Sequence, residues 1–437
     1  MQKILSRLVL LFLVTPLIFS SINPFSLNTP KAQQSSGTSN FIIYVNSTII
    51  SSINSEIVQY KADVEAEGYT VKVYNWMDPN PDPFQRASSL KFNITQEYTT
   101  NGLNGTVFVG DMPFALYEQS PGFDYICDLY FMDMNGLWTN PDGDFDLDSH
   151  SNGTGDMYPE IFVGRINPRP VNNTHEVTLL QKYFQRNHDY HAGNSILYNN
   201  SLMYIDDDWE SWSHEWKGDL LYLYNNITLI NNTIETTNST NYLKEIIKPY
   251  DWGHMFIHSD SVQHYFKNGS LWGVDGNIHS LQLKAVNLSL KFYMLYCCYA
   301  ARFDASDNIA TQYLFSPTTN SSLAVFGSST SGGFLMNQYL YEPLSQGWTL
   351  GEAFKHWWFN DILDPVVKTH GPTDPTVRGN ILLGDPSMTI REISSPEEPP
   401  HQLTPLQLTL IIVGPILAIG LTSLIIVAGK NRKAKKE

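Results

Sequence analysis

Two stretches decide the fold: Met255-Phe256-Ile257-His258-Ser259-Asp260 and Phe292-Tyr293-Met294-Leu295-Tyr296-Cys297-Cys298. Each is a short apolar run, of the kind that forms a strand, ending abruptly in a chemically reactive side chain. Working outward, similar runs occur at Phe41–Val45, Thr70–Tyr74, Thr106–Gly110, Ile161–Gly164, Leu202–Ile205 and Leu323–Gly327. Helix-period segments fall at about 49–66, at about 174–188, near Tyr339–Gln346 and at Leu350–Phe359. Strands alternating with helices predict an α/β architecture with a mainly parallel sheet, or two such sheets in tandem. No internal repeat interrupts the alternation.

Composition agrees with a large folded body. The chain has 437 residues, 42% of them apolar and 13% aromatic, which supplies the core of one large or two ordinary domains and excludes a disordered or fibrous chain. Net charge is −16, although Lys430, Arg432, Lys433, Lys435 and Lys436 crowd the last eight residues, so the body before them is more acidic still. An acidic body excludes non-specific nucleic-acid binding, which needs cations to neutralise phosphates. Cys127, Cys297 and Cys298 are too few for a disulfide framework.

Both ends read as addresses. Lys3 and Arg7 precede the apolar run Leu8–Phe19 and then Ser20 and Ser21, which predicts a signal peptide over 1–21, with an uncleaved anchor as the alternative. Residues 22–40 read as a polar linker and 393–404 as a stalk rich in proline and glutamate. Leu406 to Gly429 contains no charged residue and is long enough to cross the ~30 Å hydrocarbon core as one helix, placed at 405–429. The basic tail 430–437 then predicts a cytoplasmic C-terminus, hence a single-pass cell-surface protein with its body outside. Glycosylation sequons at Asn46, Asn93, Asn104, Asn152, Asn172, Asn199, Asn226, Asn231, Asn238, Asn268, Asn287 and Asn320 fit that topology.

In open α/β sheets, ligands gather at the carboxyl ends of strands, where His258 and Cys298 both fall. A thiol becomes an effective nucleophile when a neighbouring base takes its proton, and backbone N–H groups just beyond a strand suit a tetrahedral oxyanion. The alternative is a buried small hydrophobe and an ordinary loop histidine. Alternation along the strand turns Cys297 and Cys298 to opposite faces, one towards the core. His254 and His264 are fallback bases.

The segment Tyr158-Pro159-Glu160-Ile161-Phe162-Val163-Gly164-Arg165-Ile166 resembles a strand of the gingipain family of cysteine peptidases. The second half is similar to that family in the order of its motifs. A strand ending in His258 is followed by Cys298-Tyr299-Ala300-Ala301-Arg302-Phe303, then Leu323-Ala324-Val325-Phe326-Gly327-Ser328-Ser329, Gly351-Glu352-Ala353-Phe354 and Leu382-Leu383-Gly384-Asp385-Pro386. The resemblance covers about residues 40 to 392. It implies a caspase-like three-layer α/β catalytic subdomain over 191–392, preceded by a related α/β subdomain over 41–190. It further implies Cys298 as nucleophile placed by Phe303, His258 as base and then acid, and Glu160 orienting His258. The N–H groups of Ser259 and Cys298 would form the oxyanion hole. One departure is Ser259, where the family has glycine: a serine serves there only with ordinary backbone angles.

The leading expectation is therefore a membrane-anchored extracellular cysteine endopeptidase acting on proteins or peptides, with no cofactor for catalysis. The alternatives are an inactive surface glycoprotein on the same scaffold, an adhesin or receptor, and a transpeptidase or processing enzyme that passes the thioester to an amine. A second candidate site is the alternating Asp142, Asp144, Asp146 and Asp148, whose hard oxygens suit a structural calcium ion, as does the resemblance. EF-hand spacing fails, since position six from Asp144 is Ser149 and position twelve is Gly155. Asp206-Asp207-Asp208-Trp209 is a weaker cation candidate, and HExxH, Walker-type and GxSxG motifs are missing.

Overall fold

The computed structural model describes residues 39–232, 236–316, 318–363 and 374–390. The expected signal peptide, stalk, transmembrane helix and basic tail lie outside the described residues, as does nearly all of the linker. No helix among the described residues is long and apolar enough to cross a membrane.

Ten strands form one sheet: β1 (Ser39–Asn46), β2 (Tyr69–Trp76), β3 (Leu103–Val109), β4 (Phe162–Ile166), β5 (Ser201–Ile205), β6 (Ile227–Ile230), β7 (Trp252–Phe256), β8 (Phe292–Tyr296), β9 (Ala324–Ser328) and β10 (Asn380–Gly384). Their spatial order is β6-β5-β7-β8-β9-β10-β4-β3-β1-β2. Strands β6 to β9 run parallel, β10 runs antiparallel to β9, and β4, β3 and β1 follow the direction of β10. The strands of 39–166 and 201–384 are thus joined edge to edge through β10 and β4, in one sheet instead of two in tandem.

Alternation buries both faces. Phe41, Ile43 and Val45 of β1 enter one core, and Ile42 and Tyr44 enter the other. The first core is covered by α1 (Asn54–Ala66), α3 (Glu176–His191), α5 (Ser239–Ile246) and α6 (Ile309–Phe315). The second is covered by α2 (Pro83–Asn101), α4 (Ser213–Leu220), α7 (Gln338–Ser345) and α8 (Leu350–Leu363). A parallel sheet requires such helices, because parallel neighbours need crossovers and both faces must leave water.

The longest helix among the described residues, α2, is not among the helix-period segments of the sequence although its end signals are present. Asp82 caps it by accepting from the N–H groups of Phe84 and Gln85, Pro83 opens it, and Gly102 ends it with φ +64°. Its inner stripe is only Ala87, Leu90 and Ile94 with Glu97, too thin to stand out among polar neighbours.

Candidate active site

Strand register brings the two reactive residues together. Phe256 of β7 pairs with Tyr296 of β8, so His258 and Cys298, each two residues further on, leave adjacent strand ends side by side. Ile205 of β5 pairs with Phe256 on the other side, which delivers Asp208 to the same edge. His258 Nε2 lies 2.7 Å from Asp208 Oδ2, and Lys267 Nζ lies 2.8 and 2.7 Å from the two Asp208 oxygens. Burial opposes the charge on Asp208, but hydrogen bonds from Lys267 and His258 outweigh it and hold its carboxyl below the usual range. Burial also holds His258 below the ordinary histidine value, and the Lys267 charge adds to this against the pull of Asp208. A neutral imidazole is the form that accepts a thiol proton. Trp209 and Trp272 flank the ring, with centroids 4.4 and 4.2 Å away.

Cys298 is half-buried, whereas Cys297 is buried in the first core with its sulfur 3.7 Å from the Met255 carbonyl. Burial pushes the Cys297 thiol far up, so it stays protonated. The Gly332 N–H points at Cys298 Sγ from 3.3 Å, a donor that a thiolate accepts well. Gly332 has φ +92°, and a Cβ on Gly333 would come within 2.8 Å of Tyr296 Cα, so glycines let this segment close over Cys298. Beyond Cys298, Tyr299 adopts φ +58°, a strained value for an aromatic residue. The turn is held by Tyr299 N–H donating to Thr330 O at 2.7 Å and Ala301 N–H to Ser328 O at 2.8 Å. Cys298's own N–H has no acceptor among the described residues.

Ser259 is not among the residues with positive φ, which besides glycine are Asn199, Tyr299, Asp307 and Met336 among the described residues. Its backbone angles are therefore ordinary, and its hydroxyl donates to the Cys298 carbonyl at 2.5 Å.

Glu160 is a correction. Its carboxylate accepts from Met134 N–H at 2.5 Å and from the Asn135 side chain, closing the turn at 133–136, and the acid on the imidazole is Asp208. Glu160 does sit on the catalytic edge, because β4 runs opposite to β9. Four strand spacings of about 4.8 Å, however, put the start of β4 roughly 19 Å from β7. The motif around it has another use: Arg165, buried, forms a two-pronged pair with Asp128 at 2.7 Å and lies 4.8 Å from the ring of Phe303. Asp208 had been singled out in sequence only as part of an acidic triplet, since nothing in sequence order makes β5 the neighbour of β7.

Both fallback bases are core histidines. His254 accepts or donates with Tyr341 at 2.7 Å and His264 with Tyr313 at 2.9 Å, and burial lowers both, His264 to about 3. The Asp206 and Asp207 carboxylates are occupied by Lys267 N–H, Gly269 N–H and Thr237, which leaves little for a cation. Asn231, one of the sequons, is buried against Ser213 and has no room for a glycan.

The acidic loop gathers a different set from the four aspartates. Oxygens of Glu118, Asp146 and Asp148 lie within 4.8 Å of one another, because Leu116 pairs with Asp146. Asp142 and Asp144 stay exposed and serve as acceptors for the N–H groups of Asp144 and Asp146. Asp146 Oδ1 and Asp148 Oδ2 are buried without a partner, and burial, followed by a hydrogen bond with the Asp144 carboxyl and then repulsion from it, pushes the Asp146 carboxyl up to about 7. Three converging hard oxygen donors, two of them with orphaned oxygens, fit a divalent cation such as calcium.

Comparison with known families finds that the profile described as Peptidase family C25 matches residues 34–391. No curated protein sequence matches the chain. Among solved structures, the crystal structure of the Arg-specific cysteine proteinase gingipain R is similar with a TM-score of 0.59 at 16% identity, over 82% of this chain and 79% of that one. A complex of pro- and mature domains from Porphyromonas gingivalis gives 0.56 at 15% identity, over 81% and 80%. A further structure, described only as a protease, gives 0.57 at 14%, over 80% and 78%. At these identities the likeness is one of fold.

Proposed function

The chain belongs to peptidase family C25, the gingipain family of cysteine peptidases, and from that premise we propose that it is an endopeptidase working through Cys298, His258 and Asp208. The observation that supports this reading is the register of β7 against β8, which sets Cys298 and His258 just beyond adjacent strand ends with the Asp208 carboxylate against the imidazole. With Nε2 held by Asp208, Nδ1 of His258 is left for the Cys298 thiol. The sulfur attacks the scissile carbonyl carbon as its proton passes to His258. Cys298 N–H and Ser259 N–H serve the oxyanion, the C–N bond breaks, and His258 returns the proton to the leaving amine. Water, deprotonated by the same imidazole, then attacks the thioester, releasing the acid and restoring the thiol.

The substrates are proteins or peptides. The body is proposed to stand outside the cell, tethered by Leu406–Gly429, a reading supported by that uncharged run and the basic residues after it. Glu118, Asp146 and Asp148 are proposed to hold a structural calcium ion, which would fasten the acidic loop to the strand that carries Glu118.

The test is labelling of the full-length protein with a panel of peptidyl acyloxymethyl ketones, followed by mass spectrometry. An adduct on Cys298 that disappears in His258→Ala is the expected result. A folded protein with no adduct across the panel and across pH values favours the inactive scaffold instead. Product analysis with an added amine separates hydrolysis from transpeptidation.

A further inference from the structure

The two indoles that hold His258 differ in one respect. Trp209 belongs to the turn that carries Asp208, whereas Trp272 sits at the tip between the short strands Gln263–Tyr265 and Asn277–His279 and is 61% exposed. Leu271 and Val274, on the same tip, are 61% and 59% exposed. The tip is fastened at its base. Lys267 N–H donates to Asp206 at 2.9 Å, Gly269 N–H to Asp207 at 2.6 Å, and Ser239 N–H to the Asp275 carbonyl at 2.9 Å. The Lys267 ammonium lies 4.8 Å over the Trp272 ring while bonding Asp208. Three large apolar side chains held in water on an anchored turn, one of them, Trp272, against the His258 ring, have the character of a binding surface.

The chemistry says which half of a substrate meets it. Along the sheet edge the order is Asp208, His258, Cys298 and then Gly332. The acyl half of the substrate bonds to Cys298 Sγ, whereas the amine half takes its proton from His258 and must therefore lie on the histidine side. Trp272 shares Lys267 with Asp208, which places it on that side.

We propose that Leu271, Trp272 and Val274 form the subsite for the first residues after the scissile bond, and that it selects large apolar side chains there. This rests on the peptidase reading above, and the experiment separates the two. Labelling of Cys298 in the full-length protein with a peptidyl chloromethyl ketone, whose leaving group is a single chloride, engages only residues before the bond, so it reads the peptidase alone. Cleavage of a complex peptide library, with cut sites located by mass spectrometry, reads the new subsite. The expected profile favours Leu, Ile, Met, Phe or Val over Gly and Asp at one of the first two positions after the cut by about tenfold. The double variant Leu271→Ser/Val274→Ser loses most of that preference while labelling at the wild-type rate, and Trp272→Ala loses it further. Labelling with a flat profile after the cut overturns the subsite alone, as does a profile that both variants leave intact. Faster labelling of the double variant overturns it too, since the tip would then be a cover. Failure to label at all removes the peptidase and the subsite together.

Discussion

The hydroxyl of Ser259 donates to the backbone carbonyl of Cys298 at 2.5 Å, so the residue after His258 ties down the turn that carries Cys298. A glycine at this position would keep the N–H but lose the tie. Ser259→Ala leaves that part-buried carbonyl unpaired, with an expected cost of about 1 kcal/mol in urea unfolding. It also loosens the spacing of two strand ends whose separation sets the attack geometry, so kcat is expected to fall about three- to tenfold with KM little changed. An unchanged kcat would mean that the hydrogen bond is incidental to the turn.

Asp208 and Glu160 make opposite predictions. If Asp208 orients the imidazole, Asp208→Asn lowers kcat/KM on the order of 10²-fold or more by favouring the wrong tautomer, and Glu160→Gln lowers mainly stability through the turn at 133–136. Reversal of the two losses would return Glu160 to the triad. The acid limb of the wild-type pH–rate profile carries a second check. Burial holds His258 below the ordinary histidine value, so the base stays neutral, and activity persists, to a pH below about 6.5. Lys267→Met removes a charge that opposes the imidazolium and is expected to move that limb upward.

That His258 and Cys298 follow strand ends was legible because each sits where an apolar run stops, and such stops mark strand ends. The acid behind the histidine was not, since Asp208 reaches it only through the order β5-β7-β8, and strand order is set by how crossovers pack, not by sequence distance. For the same reason Asp146 and Asp148 of the three-carboxylate cluster are visible in sequence, whereas Glu118 joins them only across a strand pair. Ser259 could be flagged as a departure, yet only its backbone angles show that it fits.

Calcium is expected to stabilise the protein through that loop. At pH 8 the Asp146 carboxyl, pushed up to about 7, has released its proton, so saturating Ca²⁺ is expected to raise Tm by about 2–5 °C. At pH 5 the effect shrinks, because the Asp146 carboxyl, pushed up to about 7 by burial and by Asp144, holds a proton that the cation must displace. Asp146→Asn/Asp148→Asn abolishes the rise at both pH values. A rise that survives the double variant places the ion elsewhere.

His191 offers a test of the fold away from the chemistry. Its two ring nitrogens lie 2.9 Å from Glu67 and 2.9 Å from the buried Asp385, which also accepts from Tyr60, Asn187 and Ser387. Burial opposes the imidazolium, but hydrogen bonds to Asp385 and Glu67 outweigh it and raise the histidine to about 9. A folded value above the unfolded one near 6.5 means that the folded state holds the extra proton. The stabilisation is therefore complete below about pH 6.5 and is lost as pH rises through about 9. Unfolding free energy measured in urea is expected to decline by on the order of 2–3 kcal/mol between pH 7 and pH 10 from this group. His191→Gln strips the charge that buried Asp385 shares with part-buried Glu67, and is expected to cost about 3–5 kcal/mol at pH 7 while flattening the alkaline decline. A variant that keeps the full decline would show that another group releases the proton, and that the α3 contact with Asp385 is held by Asn187 instead.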